Sequence, residues 1–203
     1  MTRWTHLEGT EIWNAARAAH AEPKGRHYHN FDHVERLYEI AAEQRVPYDL
    51  ALDLAILIHD VIYDDQPDKE RRSADWMLGF APVPPDAAWQ RAADLILSTI
   101  HHGPGGDDRL ELLDLHDFGD LERGLRNRER LAREFEELAG VKRESFLAGN
   151  TAFMAKMADR IEEELDLAPE ETRDDWARIA FGIRALLAHE AESQQPGRPE
   201  KGA

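Results

Sequence analysis

Residues 49–62 read Asp-Leu-Ala-Leu-Asp-Leu-Ala-Ile-Leu-Ile-His-Asp-Val-Ile, and this segment constrains the fold more than any other. A helix of that composition is apolar nearly all round, so it belongs at the centre of the molecule rather than on its surface. It finishes on His59 and Asp60. Burying an imidazole and a carboxylate without partners is costly, and a divalent cation satisfies both.

Helical periodicity continues on either side. The spacing predicts helices over residues 10–20, from about 30 or 32 through Ala41, over 49–62, 70–78, 86–99, from 107 to about 121, over 127–138, 142–165 and 173–191. Pro23, Pro47, the Ala81-Pro82-Val83-Pro84-Pro85 connector and the Gly103-Pro104-Gly105-Gly106 run separate them. There is no strand pattern and no internal repeat. An all-α, single-domain helical bundle over residues 1–192 is therefore expected, with a polar, disordered tail over 193–203. Ligands carried on several helices would place a metal site between them.

The 203 residues suffice for a full-sized core. Acidic residues number 41 against 25 basic, a formal charge of −16, which repels a nucleic-acid backbone. A small anionic substrate is still compatible, because a local cation dominates inside a pocket. No apolar run approaches the ~18 residues of a membrane span. The N-terminal residues lack the layout of a signal peptide, so the expected location is the cytoplasm. The absence of cysteine excludes disulfides, thiolate zinc sites and Cys nucleophiles.

The candidate ligands come in chain order: a His cluster at residues 26–33 ending in His33, then His59-Asp60, then Asp114. Two imidazoles with two carboxylates form a mixed nitrogen and oxygen set. It suits Mn²⁺, Fe²⁺, Co²⁺, Ni²⁺ or Zn²⁺, with Mg²⁺ admissible, better than Ca²⁺. Water on such an ion loses a proton near neutral pH and becomes a nucleophile. Each residue alone has a plainer reading: a buried His as a hydrogen-bonded core residue, His-Asp as a helix-capping pair. Spacing by itself does not bring three distant segments together.

The ordered pattern His33 … His59-Asp60 … Asp114 resembles the HD superfamily of metal-dependent phosphohydrolases. Within it, the chain is similar to a branch of small bacterial proteins described as predicted metal-dependent HD phosphohydrolases. The resemblance is carried by Glu22-Pro23-Lys24-Gly25-Arg26-His27-Tyr28-His29-Asn30-Phe31-Asp32-His33-Val34, by His59-Asp60-Val61-Ile62-Tyr63-Asp64, by Glu70-Arg71-Arg72-Ser73-Ala74, and by Ile96-Leu97-Ser98-Thr99-Ile100-His101-His102. It covers roughly residues 10 to 140. Lys69 replaces an Asn of the branch, Leu112 replaces an Asp, and the C-terminal third matches poorly. The register that sets Phe118-Gly119 and Leu131-Ala132-Arg133-Glu134-Phe135 on the branch's later segments favours Asp114 as the last ligand, with Asp117 the competing choice.

The resemblance implies an HD-type bundle and a metal-dependent phosphohydrolase. Its substrate would be a small phosphorylated compound, a nucleotide or deoxynucleotide foremost. His33, His59, Asp60 and Asp114 would hold one ion. Around them, Arg26 is expected to clamp phosphate through its planar fork. His29 and His102 would contact substrate or a second ion, Tyr63 would donate to an oxygen at the metal, and Glu70 would act as general acid or base. Arg71 and Arg72 could lend positive potential at the pocket mouth. One rival keeps the fold, a di-iron oxygenase with His101, His102 or His29 on a second iron; the other, of a different class, is a non-catalytic binding module with a structural or vestigial ion. A homodimer is compatible with the sequence.

Overall fold

The computed structural model describes residues 4–64 and 66–193. Among them nine α-helices and two short 3₁₀ turns follow one another with no strand. The helices are α1 (Glu11–His20), α2 (Phe31–Glu43), α3 (Leu50–Ile58), α4 (Lys69–Leu78), α5 (Ala87–Ser98), α6 (Arg109–Leu115), α7 (Leu121–Ala139), α8 (Arg143–Glu164) and α9 (Arg173–Ser193). None is long and apolar enough to cross a membrane. The expected tail lies, Ser193 apart, outside the described residues.

Caps set the starts. Thr10, Asn30, Asp49 and Asp86 each sit in extended backbone and accept from an amide one turn inside the helix. This satisfies donors that a helix leaves without partners. Asn30 caps twice, accepting from Asp32 N and His33 N, and so fixes the start of α2 around His33.

Every residue from Ala51 to Ile58 is buried. The exception to the apolar character of α3, Asp53, accepts from Thr5 Oγ1 at 2.6 Å and His6 N at 2.9 Å, tying the N-terminal segment to the central helix. α3 stops at Ile58, four residues before the periodicity predicts. The carbonyls of Asp60 and Val61 are taken by the Arg26 guanidinium at 2.9 and 3.2 Å. Ile62 N donates to Ser73 Oγ on α4 at 3.1 Å. Those main-chain groups bind outside the helix, so the chain turns at His59.

The continuous helix expected from 107 to 121 is also broken. α6 ends at Leu115, a 3₁₀ turn spans His116–Gly119, and Asp120 caps α7 by accepting from Arg123 N. α7 therefore begins six residues earlier than predicted, at Leu121 rather than Asn127.

The buried apolar residues form two clusters. The first gathers α1 to α5 and takes Leu110 and Leu113 from α6. The second gathers α7, α8 and α9 with Tyr28, Leu115 and Phe118. α6 feeds both, and Trp176 of α9 donates from Nε1 to Asp108 Oδ2, just before α6, at 2.7 Å. Each fully buried Leu or Ile contributes about 2 kcal/mol, so both clusters are substantial. The seam between them is where the His and Asp side chains meet.

Candidate metal centre

Three segments supply the four side chains of the centre. His33 lies in the first turn of α2, His59 caps the end of α3, Asp60 follows it, and Asp114 sits on α6. The Nε2 atoms of His33 and His59 are 3.3 Å apart. Asp60 Oδ2 is 3.0 Å from His59 Nε2, and Asp114 Oδ1 is 3.0 Å from His33 Nε2. The diagonal pairs, His33 with Asp60 and His59 with Asp114, are both at 4.0 Å. His59 Nδ1–H donates to the Ile56 carbonyl at 3.1 Å, which leaves Nε2 to turn toward the carboxylates.

These residues fit a transition-metal ion. Two ligands about 2.1 Å from one ion and at right angles are about 3 Å apart, close to the observed edges. Among the described residues, His33, His59 and Asp60 form the His/Asp group whose donor atoms all lie in mutual reach. Asp114 stands beside it on the same imidazoles. Burial works against charge on the competing Asp117, but His116 Nδ1 at 3.3 Å, Arg36 on both oxygens at 3.2 Å and Arg123 at 2.9 Å outweigh it and keep the carboxylate ionised and committed elsewhere.

The electrostatics agree. Burial works against charge on His59, yet Asp60 and then Asp114 outweigh it and raise the imidazole to about 9. Burial opposes ionisation of Asp60 and Asp114 as well. His59 and His29 hold Asp60 well below the usual carboxylate range, and His33 and His59 lower Asp114. Two ionised carboxylates, Asp60 buried and Asp114 partly buried, thus demand positive charge at the point where two imidazole nitrogens converge.

His29 is brought to the edge of the centre, its Nε2 4.0 Å from Asp60 Oδ2. Its Nδ1 meets Glu134 Oε1 at 2.5 Å, and Glu134 also accepts from the amides of Tyr28 and His29 at 2.8 and 3.0 Å. Glu134 is fully buried, and although burial raises its pKa, His29 and these amides keep it lowered. An ionised Glu134 accepts only, so His29 carries its proton on Nδ1 and presents Nε2. Tyr63 stacks on His29 with ring centroids 3.9 Å apart, and Lys69 Nζ lies 4.2 Å from the centre of the Tyr63 ring.

Arg26 corrects an expectation. Its guanidinium is buried and donates to the carbonyls of His29, Asp60 and Val61, so it shapes the His-Asp turn instead of clamping phosphate. Lys69, which the sequence reading passed over, is the cation whose field reaches both Asp60 and His102. Glu70 has Lys69 as its ion-pair partner at 3.8 Å, not one of the imidazoles. Arg72 pairs with Asp64 at an exposed position. His101 is exposed, its carbonyl held by Arg160 at 2.6 Å. Glu134 left a signal: it falls between Leu131 and Phe135 on the inward face of α7, where an acid needs a partner.

His29, His102, Asp114 and Tyr28 form one side of a cavity of about 180 Å³ that opens between α7 and α8. Comparison with family models, curated proteins and solved structures returns no match for this chain.

Proposed function

We propose that the protein is a metal-dependent phosphohydrolase acting on a phosphate ester of a small molecule. The observation that supports this most directly is the pair of Nε2 atoms, 3.3 Å apart, enclosed by Asp60 and Asp114 beside an open cavity. His33, His59, Asp60 and Asp114 are the ligands. When bound, the ion supplies positive charge beside phosphorus and a water whose pKa is lowered toward neutrality.

The chain's own residues do the rest. In hydrolysis the water oxygen forms a bond to phosphorus while the ester P–O bond breaks, and the electron pair leaves with the ester oxygen. His29 Nε2 takes the water proton, because Glu134 holds the other ring nitrogen protonated and stabilises the imidazolium. The same proton then passes to the departing oxygen, giving an alcohol and inorganic phosphate. Stacking on Tyr63 keeps the His29 ring in place. Lys69 offsets phosphoryl charge from the edge of the site. Arg26 fixes the backbone at Asp60 and Val61 and so aims Asp60.

The test is phosphate release from a panel of phosphomonoesters with Mn²⁺, Co²⁺ or Ni²⁺. Turnover is expected to need the ion and to fall to background in Asp60→Ala, with the far-ultraviolet circular dichroism unchanged. Glu134→Gln is expected to lower kcat by about a hundredfold or more, with a smaller change in KM. No metal-dependent release from any ester overturns the reading.

A further inference from the structure

We propose that the cavity between α7 and α8 seats the leaving group of the ester, and that this group is apolar or aromatic with one polar edge, not a sugar. The proposal rests on the hydrolase reading and names its substrate class.

The cavity has two unlike sides. One is the metal centre, through Asp114, with His29 and His102. The other is built by Phe135, Phe146, Phe153, Met154 and Met157, interrupted by Asn150. Phe135 and Phe146 pack against each other at 4.8 Å, and Phe153 is half exposed at 52%. Aromatic faces with pliant thioethers accept a flat or branched apolar group.

Two residues that line this cavity each carry a buried side-chain atom with no hydrogen-bond partner among the described residues: Asn150 through Oδ1 and His102 through Nδ1. Buried polar atoms in folded proteins are nearly always satisfied, so orphans lining a cavity point to a ligand. His102 sits on the metal-proximal side with φ +43°, where it meets the phosphoryl end. Asn150 sits in the apolar wall, where its carboxamide meets a single polar atom of the leaving group.

A sugar attached to the phosphate would bring several hydroxyls to that wall. Each one left unpaired weakens binding by about tenfold. Among the described residues no Lys or Arg lines the cavity, so none of them neutralises a second or third phosphate there. At about 180 Å³ it lies below the roughly 300–1,000 Å³ of pockets for drug-sized ligands, room for one ring or a short branched chain. The nucleotide class implied by the resemblance has its ribose next to phosphorus and meets this wall poorly.

Binding of non-hydrolysable phosphonates to the Mn²⁺-loaded full-length protein, measured by calorimetry, tests this apart from turnover. Benzylphosphonate is expected to bind at least about tenfold tighter than methylphosphonate, with a negative heat-capacity change. 4-Hydroxybenzylphosphonate gains further, and Asn150→Ala removes that gain. Met157→Trp fills the cavity and cancels the benzyl advantage. Phe153→Ala, at a half-exposed site that folding tolerates, reduces it. Equal binding of methyl and benzyl compounds, or tighter binding of ribose 5-phosphate or a nucleoside 5′-monophosphate, overturns the proposal. Phosphate release confined to sugar phosphates leaves the hydrolase reading standing and sinks this one. Benzyl binding that follows the predicted variant pattern, with no ester turned over, does the reverse.

Discussion

Glu111 shows how one side chain links the stability of this protein to its site. It lies buried in the first turn of α6, where Oε2 accepts from Gly103 N at 2.9 Å and so holds the loop that carries His102. Burial raises its pKa from 4.5 to about 7, against the pull of that hydrogen bond. The folded state then holds a proton that the unfolded chain has released. Stability contributed by protonated Glu111 is complete below pH 4.5, declines as pH rises from 4.5 to 7, and stays low above it. At about 1.4 kcal/mol per pH unit the loss is about 3 kcal/mol. Glu111→Gln keeps the acceptor and removes the titration. Urea unfolding is expected to find the variant level with the wild type near pH 4 and more stable by about 3 kcal/mol at pH 8. A constant difference across that range refutes the assignment. Nothing in the sequence marks Glu111 among 41 acids, because its cost arises from neighbours distant in the chain. His33, His59, Asp60 and Asp114 were legible because metal-ligating types stood in a recognisable order. Arg26 was misread for an opposite reason: its partners are backbone carbonyls, which a pattern of side chains does not display.

Contacts between elements decide where α9 lies. Gly182 brings it against the 3₁₀ turn that follows Asp114 on the chain: a Cβ there would sit 2.2 Å from Phe118 O and 2.6 Å from Gly119 Cα. Both neighbours are backbone, which cannot swing aside. Gly182→Ala is therefore expected to destabilise by about 3 kcal/mol through overpacking. Gly149, within α8, has nothing within 4 Å of its would-be Cβ, and Gly149→Ala is expected to gain up to about 1 kcal/mol from helix propensity alone. Thermal unfolding of the two variants side by side checks the argument, and equal shifts of the same sign refute it. The same elements show what local signals report. The starts of α1, α2, α3 and α5 could be read from Thr10, Asn30, Asp49 and Asp86, because caps act within one turn. The ends of α3 and α6 could not, since each is imposed by a distant partner. Arg26 and Ser73 take the main chain after α3, while Arg36 and Arg123 hold Asp117 after α6.

Across the whole molecule the centre lies at the join of two apolar clusters, one built on α3 and the other on α7 to α9. Periodicity exposed the faces of these helices but not which face meets which, so one core was legible and its division was not. The division matters because the ligands come from α2, the end of α3 and α6, and α6 feeds both clusters. An ion gripping all three elements binds the folded chain and not the unfolded one, and therefore stabilises the fold as a whole. At an ion concentration about 100 times Kd the gain is about 2.7 kcal/mol. For a chain of this size, each kcal/mol raises Tm by roughly 2–4 °C, so a rise of about 5–10 °C is expected with Mn²⁺, Co²⁺, Ni²⁺ or Zn²⁺. Excess chelator should return Tm to its starting value, which separates ion binding from irreversible change. In Asp60→Asn the centre loses one of its two carboxylates, so the rise on adding the same ion should shrink toward zero. Ca²⁺, which prefers oxygen ligands throughout, should act weakly beside the ions that accept imidazole. If Ca²⁺ matches Ni²⁺, or if Asp60→Asn retains the full rise, the ion is bound at the acidic surface and the four side chains at the seam do not hold it.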